Sequence, residues 1–394
     1  MTQKLLLTLN AGSSSVKIGI FTADAVRLAS GLIDFRKPPL RLQLHEGPAE
    51  LDIALHAPPE DAVAVVAETF DWLARHFEID RLVAIGHRVV HGGAGFAGPV
   101  RLDDAALATI EALTPNAPLH QPQSLRLIRA VAALRPEVVQ TASFDTAFHR
   151  TQSELVSRFA IPRALHEAGI RRYGFHGLSY ASIAASLARD VPALARGKVV
   201  VAHLGSGASL CALEGGRSRD SSMGFSTLDG IPMATRCGAL DAGVLLHLLG
   251  PGGQSLGQVE DLLYHRSGLL GVSGISADSR VLLDSPAPEA REAIELFTFR
   301  IAGEVARLAA TLGGLDALVF TAGIGENQPR IRAAVCSRLA WLGLALDPAA
   351  NDANAPRIST VASRVAALVI RTDEERVVAE EALAVLAADR PGVP

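Results

Sequence analysis

Aromatic residues and cysteines are scarce in this chain of 394 residues. Phe, Trp and Tyr make up 5% of it, so the hydrophobic core must be built mainly from Ala, Leu and Val. The three cysteines, Cys211, Cys237 and Cys336, are odd in number and far apart, and none belongs to a Cys-x-x-Cys pair. This spacing argues against a disulfide framework and against a zinc site.

An excess of positive charge and long apolar runs are also absent. The chain has 37 Lys and Arg against 41 Asp and Glu, a net charge of −4, so no nucleic-acid partner is expected. No apolar run approaches the ~20 residues of a membrane span, and the N-terminal stretch is too short and polar for a signal peptide. We therefore expect a cytoplasmic protein with neither a membrane nor a nucleic-acid partner.

The length and the periodicity predict two domains of mixed structure. A chain of 394 residues exceeds what one hydrophobic core usually serves, and 49% apolar against 20% charged residues is typical of a globular protein. The predicted strands are 4–9, 16–21, 82–90, 138–144, 198–204, 209–213 and 317–321. The predicted helices are 61–77, 103–113, 123–134, most of 151–190, 289–312 and 375–389. Because strands alternate with helices, the fold class is α/β.

Two segments of the chain are similar to each other. Residues 5–15 (LLLTLNAGSSS) and 198–209 (KVVVAHLGSGAS) both read as an apolar strand, a Gly/Ser turn and a second strand. They align with Asn10 on His203, Gly12 on Gly205 and Ser13 on Ser206. Two such hairpins suggest a duplicated domain that holds a nucleotide in the cleft between the copies.

The first of these turns has the composition of a phosphate-binding loop. Gly12 allows close backbone approach, hydroxyl and N–H groups can face phosphate oxygens, and Lys17 adds a positive charge. An ordinary serine-rich hairpin turn has the same composition, and the loop alone does not decide between the two. The sequence NAGSSSVK after an N-terminal strand resembles the opening of the acetate kinase family, within the superfamily that includes sugar kinases, Hsp70 and actin.

The resemblance continues in order over nearly the whole chain. The matching motifs are GHRVVHGG at 86–93, APLH at 117–120, FDTAFH at 144–149, RYGFHG at 172–177, SMGF at 222–225, TRCG at 235–238, SGLLG at 267–271 and GIGEN at 323–327. It implies two RNase H-like domains around a central cleft: residues 1–148, completed by a C-terminal helix at 377–394, and the nucleotide-binding residues 149–376. It also implies a homodimer that transfers a phosphoryl group reversibly from ATP to acetate with Mg²⁺, or with Mn²⁺ in its place, giving acetyl phosphate and ADP.

Phosphoryl transfer between two anions requires cations at the carboxylate and at the transition state. The guanidinium forks of Arg88 and Arg236 suit both tasks. The resemblance implies that Arg88 contacts the carboxylate with His120 as a further donor, and that Arg236 and His176 stabilise the transferring phosphoryl group. An isolated Arg or His more often serves a structural ion pair or hydrogen bond, but four of them in four matched motifs favour the functional interpretation.

Asp145 follows a predicted strand, where a carboxylate could orient an arginine, contact Mg²⁺ or handle a proton. The resemblance marks it as the acidic catalytic residue. Because a carboxylic acid substrate is already ionised near pH 7, we favour a role in holding Arg88 or the metal. For the metal itself the resemblance implies Asn10 and Glu374. Glu374 also begins the last predicted helix, where carboxylates are favourable, and the two roles are compatible.

The remaining implied site residues bind the nucleotide and the acyl chain. The nucleotide set is Lys17, His203, Leu204, Gly205, Ser206, Gly207, Asp278, Ser279, Arg280, Gly323, Ile324, Gly325, Glu326 and Asn327. The acyl pocket is walled by Val90, Leu119 and Phe175, each of which would by itself be an ordinary core residue.

Four residues depart from the family pattern. Ser206 and Gln121 stand where asparagine is usual, Tyr180 replaces a histidine, and Thr227 replaces a proline near the acyl pocket. ATP binding should persist, because Ser206 keeps a hydroxyl and the backbone N–H groups remain. Propionate or butyrate are alternative substrates. An ATP-driven conformational protein resembling Hsp70 or actin is a second alternative, but it leaves GHRVVHGG, FDTAFH and RYGFHG unexplained.

Overall fold

The computed structural model describes residues 4–12, 15–35 and 39–389. Ser13 and Ser14 of the predicted phosphate loop lie outside the described residues, as do residues 390–394 of the predicted C-terminal helix. The chain forms two compact units: the first combines the residues up to Phe148 with those from Asp373 onward, and the second is His149–Thr372. The predicted boundaries of independently folding domains, 148/149 and 376/377, remain a prediction.

The described residues form thirteen strands in two sheets. The strands are β1 (Leu5–Ala11), β2 (Ser15–Thr22), β3 (Arg27–Asp34), β4 (Arg41–Glu46), β5 (Ala49–Ala54), β6 (Leu82–Val89), β7 (Val100–Arg101), β8 (Val139–Phe144), β9 (Lys198–Leu204), β10 (Ala208–Glu214), β11 (Arg217–Ser221), β12 (Ala317–Thr321) and β13 (Ala366–Val369). The first unit has the order β5-β4-β3-β2-β1-β6-β8-β7, and the second has β11-β10-β9-β12-β13.

The described residues also form sixteen α-helices. They are α1 (Ala62–His76), α2 (Asp104–Ala112), α3 (Gln121–Leu134), α4 (Glu154–Ser157), α5 (Arg163–Glu167), α6 (Gly177–Asp190), α7 (Pro192–Ala195), α8 (Ala242–Leu249), α9 (Leu256–His265), α10 (Gly268–Ser273), α11 (Ser279–Asp284), α12 (Pro288–Leu312), α13 (Ala322–Asn327), α14 (Pro329–Arg338), α15 (Pro348–Asp352) and α16 (Glu374–Ala388). Short 3₁₀ helices lie at Ile79–Arg81, Thr114–Asn116, Asp145–Thr151 and Ala340–Leu342. None of the helices in the described residues is both long enough and apolar enough to cross a membrane.

The two sheets contain the same five-stranded pattern. In the first, β3-β2-β1 are antiparallel neighbours and β1-β6-β8 are parallel neighbours. In the second, β11-β10-β9 and β9-β12-β13 repeat this order and these directions. The predicted α/β class and the duplication of an RNase H-like sheet are therefore confirmed.

The strand ends explain where the polar motifs lie. Arg88 is next to the last residue of β6, and Asp145 follows β8 directly, with Arg88 paired to Ser143 across the two parallel strands. Asn10 is next to the last residue of β1. Strand β1 is also parallel to β6 and lies on the side of β6 opposite to β8. Because the carboxyl ends of parallel strands share one edge of a sheet, the three motifs meet there.

Helices cover both faces of the first sheet. On one face α1 buries Val65, Phe70 and Leu73, as its predicted periodicity requires, and its first turn is capped by the Asp61 side chain. On the other face α16 packs so closely that a Cβ on Gly86 would lie 2.7 Å from Val378 Cγ1. Only glycine permits this approach, which carries the start of α16 to the end of β1.

Several regions differ from the sequence-based expectation, which did not include β7, β11, β13, α8–α11, α14 and α15. Residues 151–190 were expected to be mostly helical; α6 covers 177–190, but 151–176 contain only α4 and α5, of four and five residues. Glycines at 169 and 174 have φ of +93° and +81°, which a helix does not allow. The meander of β3, β4 and β5 was not predicted, although the buried positions Leu42 and Leu44 of β4 follow the period of a strand.

Candidate active site

The first unit contains an ion pair between two of the predicted site residues. Arg88 Nε lies 3.2 Å from both carboxylate oxygens of Asp145, and Arg88 Nη2 lies 2.7 Å from Oδ2. Asp145 is only 1% exposed, so water competes little with this pair. The carboxylate therefore fixes the plane in which the guanidinium group of Arg88 is held.

The start and the end of the chain meet at this ion pair. Asn10 Nδ2 donates to Glu374 Oε2 at 2.8 Å and to Glu375 Oε1 at 3.0 Å. Arg88 Nη1 donates to Asn10 Oδ1 at 3.0 Å and lies 3.8 Å from Glu374 Oε2. Four predicted site residues, separated by up to 364 positions, thus form one cluster, which we call the arginine–carboxylate cluster: Asn10, Arg88, Asp145 and Glu374.

The arginine–carboxylate cluster has more negative than positive charge. Burial by itself lowers the pKa of Arg88, but the carboxylates of Asp145, Glu374 and Glu375 raise it above its usual range, so the guanidinium stays charged. Asp145 and Glu374 are both buried and face this single cation. Carboxylate and amide oxygens are hard ligands, so the negative charge of Glu374 beside the Asn10 amide oxygen fits a divalent cation.

The described residues contain no group of three or more His, Cys, Asp or Glu side chains arranged to hold a metal ion. A cation bound through Asn10 and Glu374 therefore takes most of its ligands from water or from phosphate oxygens. This suits a small hard cation that dehydrates reluctantly, and it does not suit one that requires a complete protein cage.

Four further predicted residues of the first unit lie around this sheet edge. Lys17 pairs with Asn10 across β1 and β2, and its Nζ lies 4.0 Å from Glu375 Oε1. Val90 is buried directly after β6, Leu119 is half-buried, and the buried His120 precedes α3.

Gln121, one of the four departures from the family pattern, has a structural task. Its Nε2 donates to the backbone oxygens of His91 at 2.9 Å and of Ile110 at 3.2 Å, and its Oε1 accepts from the His91 N–H at 3.3 Å. The completely buried amide thereby fixes the chain immediately after the β6 motif. No spacing or periodicity in the sequence reveals this contact.

In the second unit, His176 and Arg236 converge on Gly207, and His203 packs against His176. The rings of His176 and His203 stack at 4.2 Å with an angle of 16°. A Cβ on Gly207 would lie 2.7 Å from Arg236 Nη2 and 3.3 Å from His176 Nε2. His176 itself has φ of +55°, a left-handed conformation that is strained for a side chain of this size and aims the ring. We call Arg236, His176 and Gly207 the arginine–histidine group.

Arg236 is a half-buried cation without a carboxylate. Its Nη1 donates to the Thr227 carbonyl at 2.8 Å, and no ion pair of the described residues includes it. Burial lowers its pKa to about 10, against a small opposing effect of Tyr264, so it remains charged near pH 7. An anionic ligand would relieve the cost of desolvating this charge. Because Thr227 contributes its backbone carbonyl, this contact does not depend on the side chain that departs from the family.

Two of the predicted nucleotide loops follow neighbouring parallel strands. His203–Gly207 follows β9, and Gly323–Asn327 lies in α13 directly after β12, with Thr321 paired to His203. The carboxylate of Glu326 accepts from Ala322 N at 2.9 Å and from Thr372 N at 3.2 Å. Its side chain therefore holds the loop in shape.

Arg332, which sequence reasoning missed, also stabilises the loop at Gly323–Asn327. It is completely buried, and its Nη1 donates to the carbonyls of Gly325 at 3.0 Å and Glu326 at 2.9 Å. The sequence signal that could have revealed it is an arginine shortly after GIGEN, on the otherwise apolar face of helix α14. In the third predicted loop, Asp278 caps α11 and pairs with the exposed Arg280.

Three buried histidines predict how the protein responds to acid. Burial lowers the pKa of His87, His91 and His149 to about 4 each. The unfolded chain binds these protons near pH 6.5 and the folded chain does not. The histidines therefore leave the free energy of unfolding unaffected above pH 6.5 and lower it as the pH falls toward 4. Between pH 7.5 and pH 5, each histidine should lower the free energy of unfolding, measured in urea, by about 2 kcal/mol. His87→Gln should remove its share of this slope, and an unchanged slope would contradict the assignment.

The duplicated five-stranded unit, with cations and glycine loops at the ends of its parallel strands, defines a kinase-type phosphotransferase. The model of the acetokinase family matches residues 5–380. The chain belongs to this family.

Relatives and solved structures agree. The chain is 50% identical to an acetate kinase of Rhodopseudomonas palustris, over 95% of this chain and 96% of that protein, and 46% identical to one of Nitrobacter hamburgensis, over 97% and 96%. It is similar to the structure of a propionate kinase from Francisella tularensis (TM-score 0.89, 35% identity, 96% and 98% of the chains). It is also similar to that of Porphyromonas gingivalis acetate kinase (TM-score 0.85, 33% identity, 97% and 100%).

Proposed function

We propose that this chain is an ATP:acetate phosphotransferase. The bond between the γ-phosphorus of ATP and its bridging oxygen breaks, a bond forms from that phosphorus to an acetate oxygen, and acetyl phosphate and ADP result. Membership of the acetokinase family and similarity to acetate kinases support the reaction. The structural observation that carries it is Arg88, oriented by Asp145 beside the two proposed metal ligands.

Arg88 would bind the acetate carboxylate. A guanidinium has five N–H groups, and the contacts to Asp145 and Asn10 use three of them, Nε–H and one on each terminal nitrogen. One N–H on each terminal nitrogen remains, which matches the two oxygens of a carboxylate. Asp145 acts here by holding Arg88, since acetate is ionised near pH 7 and needs no base.

Asn10 and Glu374 would hold a magnesium ion, or manganese in its place. When bound, this ion neutralises charge on the phosphate oxygens. The residues' own contribution is to place two oxygen ligands beside Arg88 within the arginine–carboxylate cluster.

Arg236 and His176 would stabilise the phosphoryl group as it transfers, because both direct a nitrogen to the same side of Gly207. The nucleotide would contact Lys17 and the loops at 203–207, 278–280 and 323–327. In-line transfer requires positive charge both at the carboxylate and at the transferring phosphoryl group, which Arg88 and Arg236 would supply.

The decisive experiment is to mix the protein, Mg-ATP and acetate with hydroxylamine. Acetyl phosphate is trapped as the acyl hydroxamate, which is measured by colour with ferric ion. Formation that requires both ATP and acetate is the expected result. ADP release without hydroxamate would instead favour an ATPase of the Hsp70 or actin type.

A propionate or butyrate kinase is the second candidate, because one similar structure is a propionate kinase. The proposed walls Val90 and Phe175 are buried, and Leu119 is half-buried. A methylene group changes binding in such a pocket by only ~1–3 kcal/mol, so the acids should overlap as substrates. The kcat/KM values for acetate, propionate and butyrate decide the preference.

A homodimer and a cytoplasmic location are further parts of the proposal. Helix α8 has the sequence AGVLLHLL, yet none of its residues is buried in this chain. Large apolar side chains are exposed on it and beside it: Leu240, Val244, Leu246, Leu249 and Leu256. A second copy of the chain would cover them. Sedimentation equilibrium should then give twice the chain mass of 41.3 kDa, and a monomer at micromolar concentration would contradict the dimer.

Glu374→Gln should raise the Mg²⁺ concentration needed for half-maximal rate by tenfold or more, because a carboxylate ligand becomes neutral. Titration with Mn²⁺ by paramagnetic resonance should show the same loss of affinity. Glu380→Gln on the same helix α16 is the matched control, since Glu380 is bound only to Arg376 at the surface. Equal metal dependence in both variants would leave Glu374 as a helix-start carboxylate alone.

A further inference from the structure

Tyr180 is completely buried and lies one helical turn after His176 at the start of α6. Its hydroxyl is 2.5 Å from Ser209 Oγ, which in turn is 2.8 Å from His176 Nδ1. Ser209 is also completely buried. A chain of hydrogen bonds therefore leads from a phenol, through a serine on β10, to the ring that faces Gly207.

We propose that Tyr180 is a positioning residue that, through Ser209, sets the orientation and the protonated nitrogen of His176. The proposal deepens the assignment of His176 to the transferring phosphoryl group and rests on it. Tyr180 stands where the family pattern has a histidine, so the first donor of the relay is a phenol in place of an imidazole.

The direction of the relay follows from the surroundings of the ring. His176 Nε2 and Arg236 Nη2 face the same side of Gly207, where an anion would need donors. A second positive charge beside the guanidinium is unfavourable, so the ring is neutral and carries its one proton on Nε2. Nδ1 then accepts the Ser209 proton, and Ser209 Oγ accepts the Tyr180 proton.

The neighbouring histidine is held by a similar but shorter arrangement. His203 Nδ1 lies 2.8 Å from the hydroxyl of Ser179, the residue before Tyr180. The first turn of α6 thus orients both stacked rings, one directly and one through Ser209. Unlike an imidazole at this position, a phenol keeps its proton at neutral pH, so the donor of the relay does not titrate away.

Kinetics test the relay first. Tyr180→Phe and Ser209→Ala should each lower kcat roughly tenfold, while the KM values for ATP and acetate stay within about twofold. The double variant should be no slower than the slower single variant, because both remove the same connection. Tyr173→Phe is the matched control, since its hydroxyl donates to the Gly169 carbonyl in its own loop and not to Ser209. Additive losses, or a kcat in Tyr180→Phe equal to that of the control, would overturn the proposal.

Nitrogen NMR on the ligand-free protein tests the relay without any activity. With ¹⁵N-histidine labelling and a His176→Gln variant for assignment, wild type should show a protonated Nε2 and an accepting Nδ1. Tyr180→Phe and Ser209→Ala should move the two resonances toward each other, and Tyr173→Phe should not. A proton on Nδ1 in wild type would refute the relay. Because no substrate is present, failure of the kinase assignment leaves this result unchanged.

A third measurement serves if Tyr180→Phe does not fold. The chain has three tyrosines, and replacing them by 3-fluorotyrosine makes each hydroxyl a stronger donor with little change in shape. The fluorinated tyrosine should then shift the ¹⁵N resonances of His176 in the wild-type sequence. It should leave them in place in the Ser209→Ala variant. The absence of a shift in the first protein would contradict the relay.

Discussion

Replacing Arg236 by alanine should reduce kcat by several orders of magnitude and change the KM for acetate little. Arg236 is half-buried, and its guanidinium is charged near pH 7 and has no carboxylate partner, so its charge is free to act on an anion. Arginines that contact a transferring phosphoryl group contribute on the order of 10³–10⁵ in rate, and the loss falls on kcat because the contact is strongest in the transition state.

Lysine at position 236 should restore only part of this rate, because a point charge does not reproduce the two-pronged contact. Arg266→Ala is the control, since Arg266 is exposed and paired with Asp261. The variants must bind ATP and melt near wild type for the comparison to hold. If Arg236→Ala keeps kcat within about tenfold of wild type, a change of only ~1.4 kcal/mol, Arg236 is not the transition-state cation.

Replacing Arg88 by alanine should raise the KM for acetate and also lower kcat, with the KM for ATP nearly unchanged. Truncating one partner of a buried, hydrogen-bonded charge pair costs about 3–4 kcal/mol, which corresponds to ~10²–10³ in kcat/KM for acetate. The loss appears in both constants because the carboxylate is held in the ground state and is also oriented for attack.

Asp145 distinguishes orientation from base catalysis in the same experiment. If it acts by holding Arg88, Asp145→Asn should raise the KM for acetate like Arg88→Ala, and the two changes together should cost less than their sum. Arg101→Ala, at an exposed ion pair with Asp389, is the control for a lost surface charge. A pure kcat loss in Asp145→Asn that depends on pH would instead indicate a proton-transfer role.

Local pattern was a good guide where neighbours in sequence decide the structure. Helix α1 was predicted within one residue at each end, because its capping aspartate and apolar spacing are both local. The β9–β10 hairpin was predicted for the same reason. The expectation of mostly helix at 151–190 holds for α6 at 177–190 and was wrong for 151–176, where left-handed glycines interrupt the helical composition.

The amino-acid sequence by itself determined the α/β class, the duplication and the family, because ordered motifs and apolar periodicity are properties of composition and spacing. Only the tertiary structure decided which of the motif residues meet. Asn10 and Glu374 contact each other because Gly86 lets α16 approach the first sheet. Gln121 and Tyr180 both depart from the family pattern in the sequence. In the structure Gln121 is hydrogen-bonded to His91, and Tyr180 is connected to His176 through Ser209. Such contacts join residues that are distant in sequence and depend on packing in three dimensions. Their partners cannot be predicted from the spacing of residues in a single sequence.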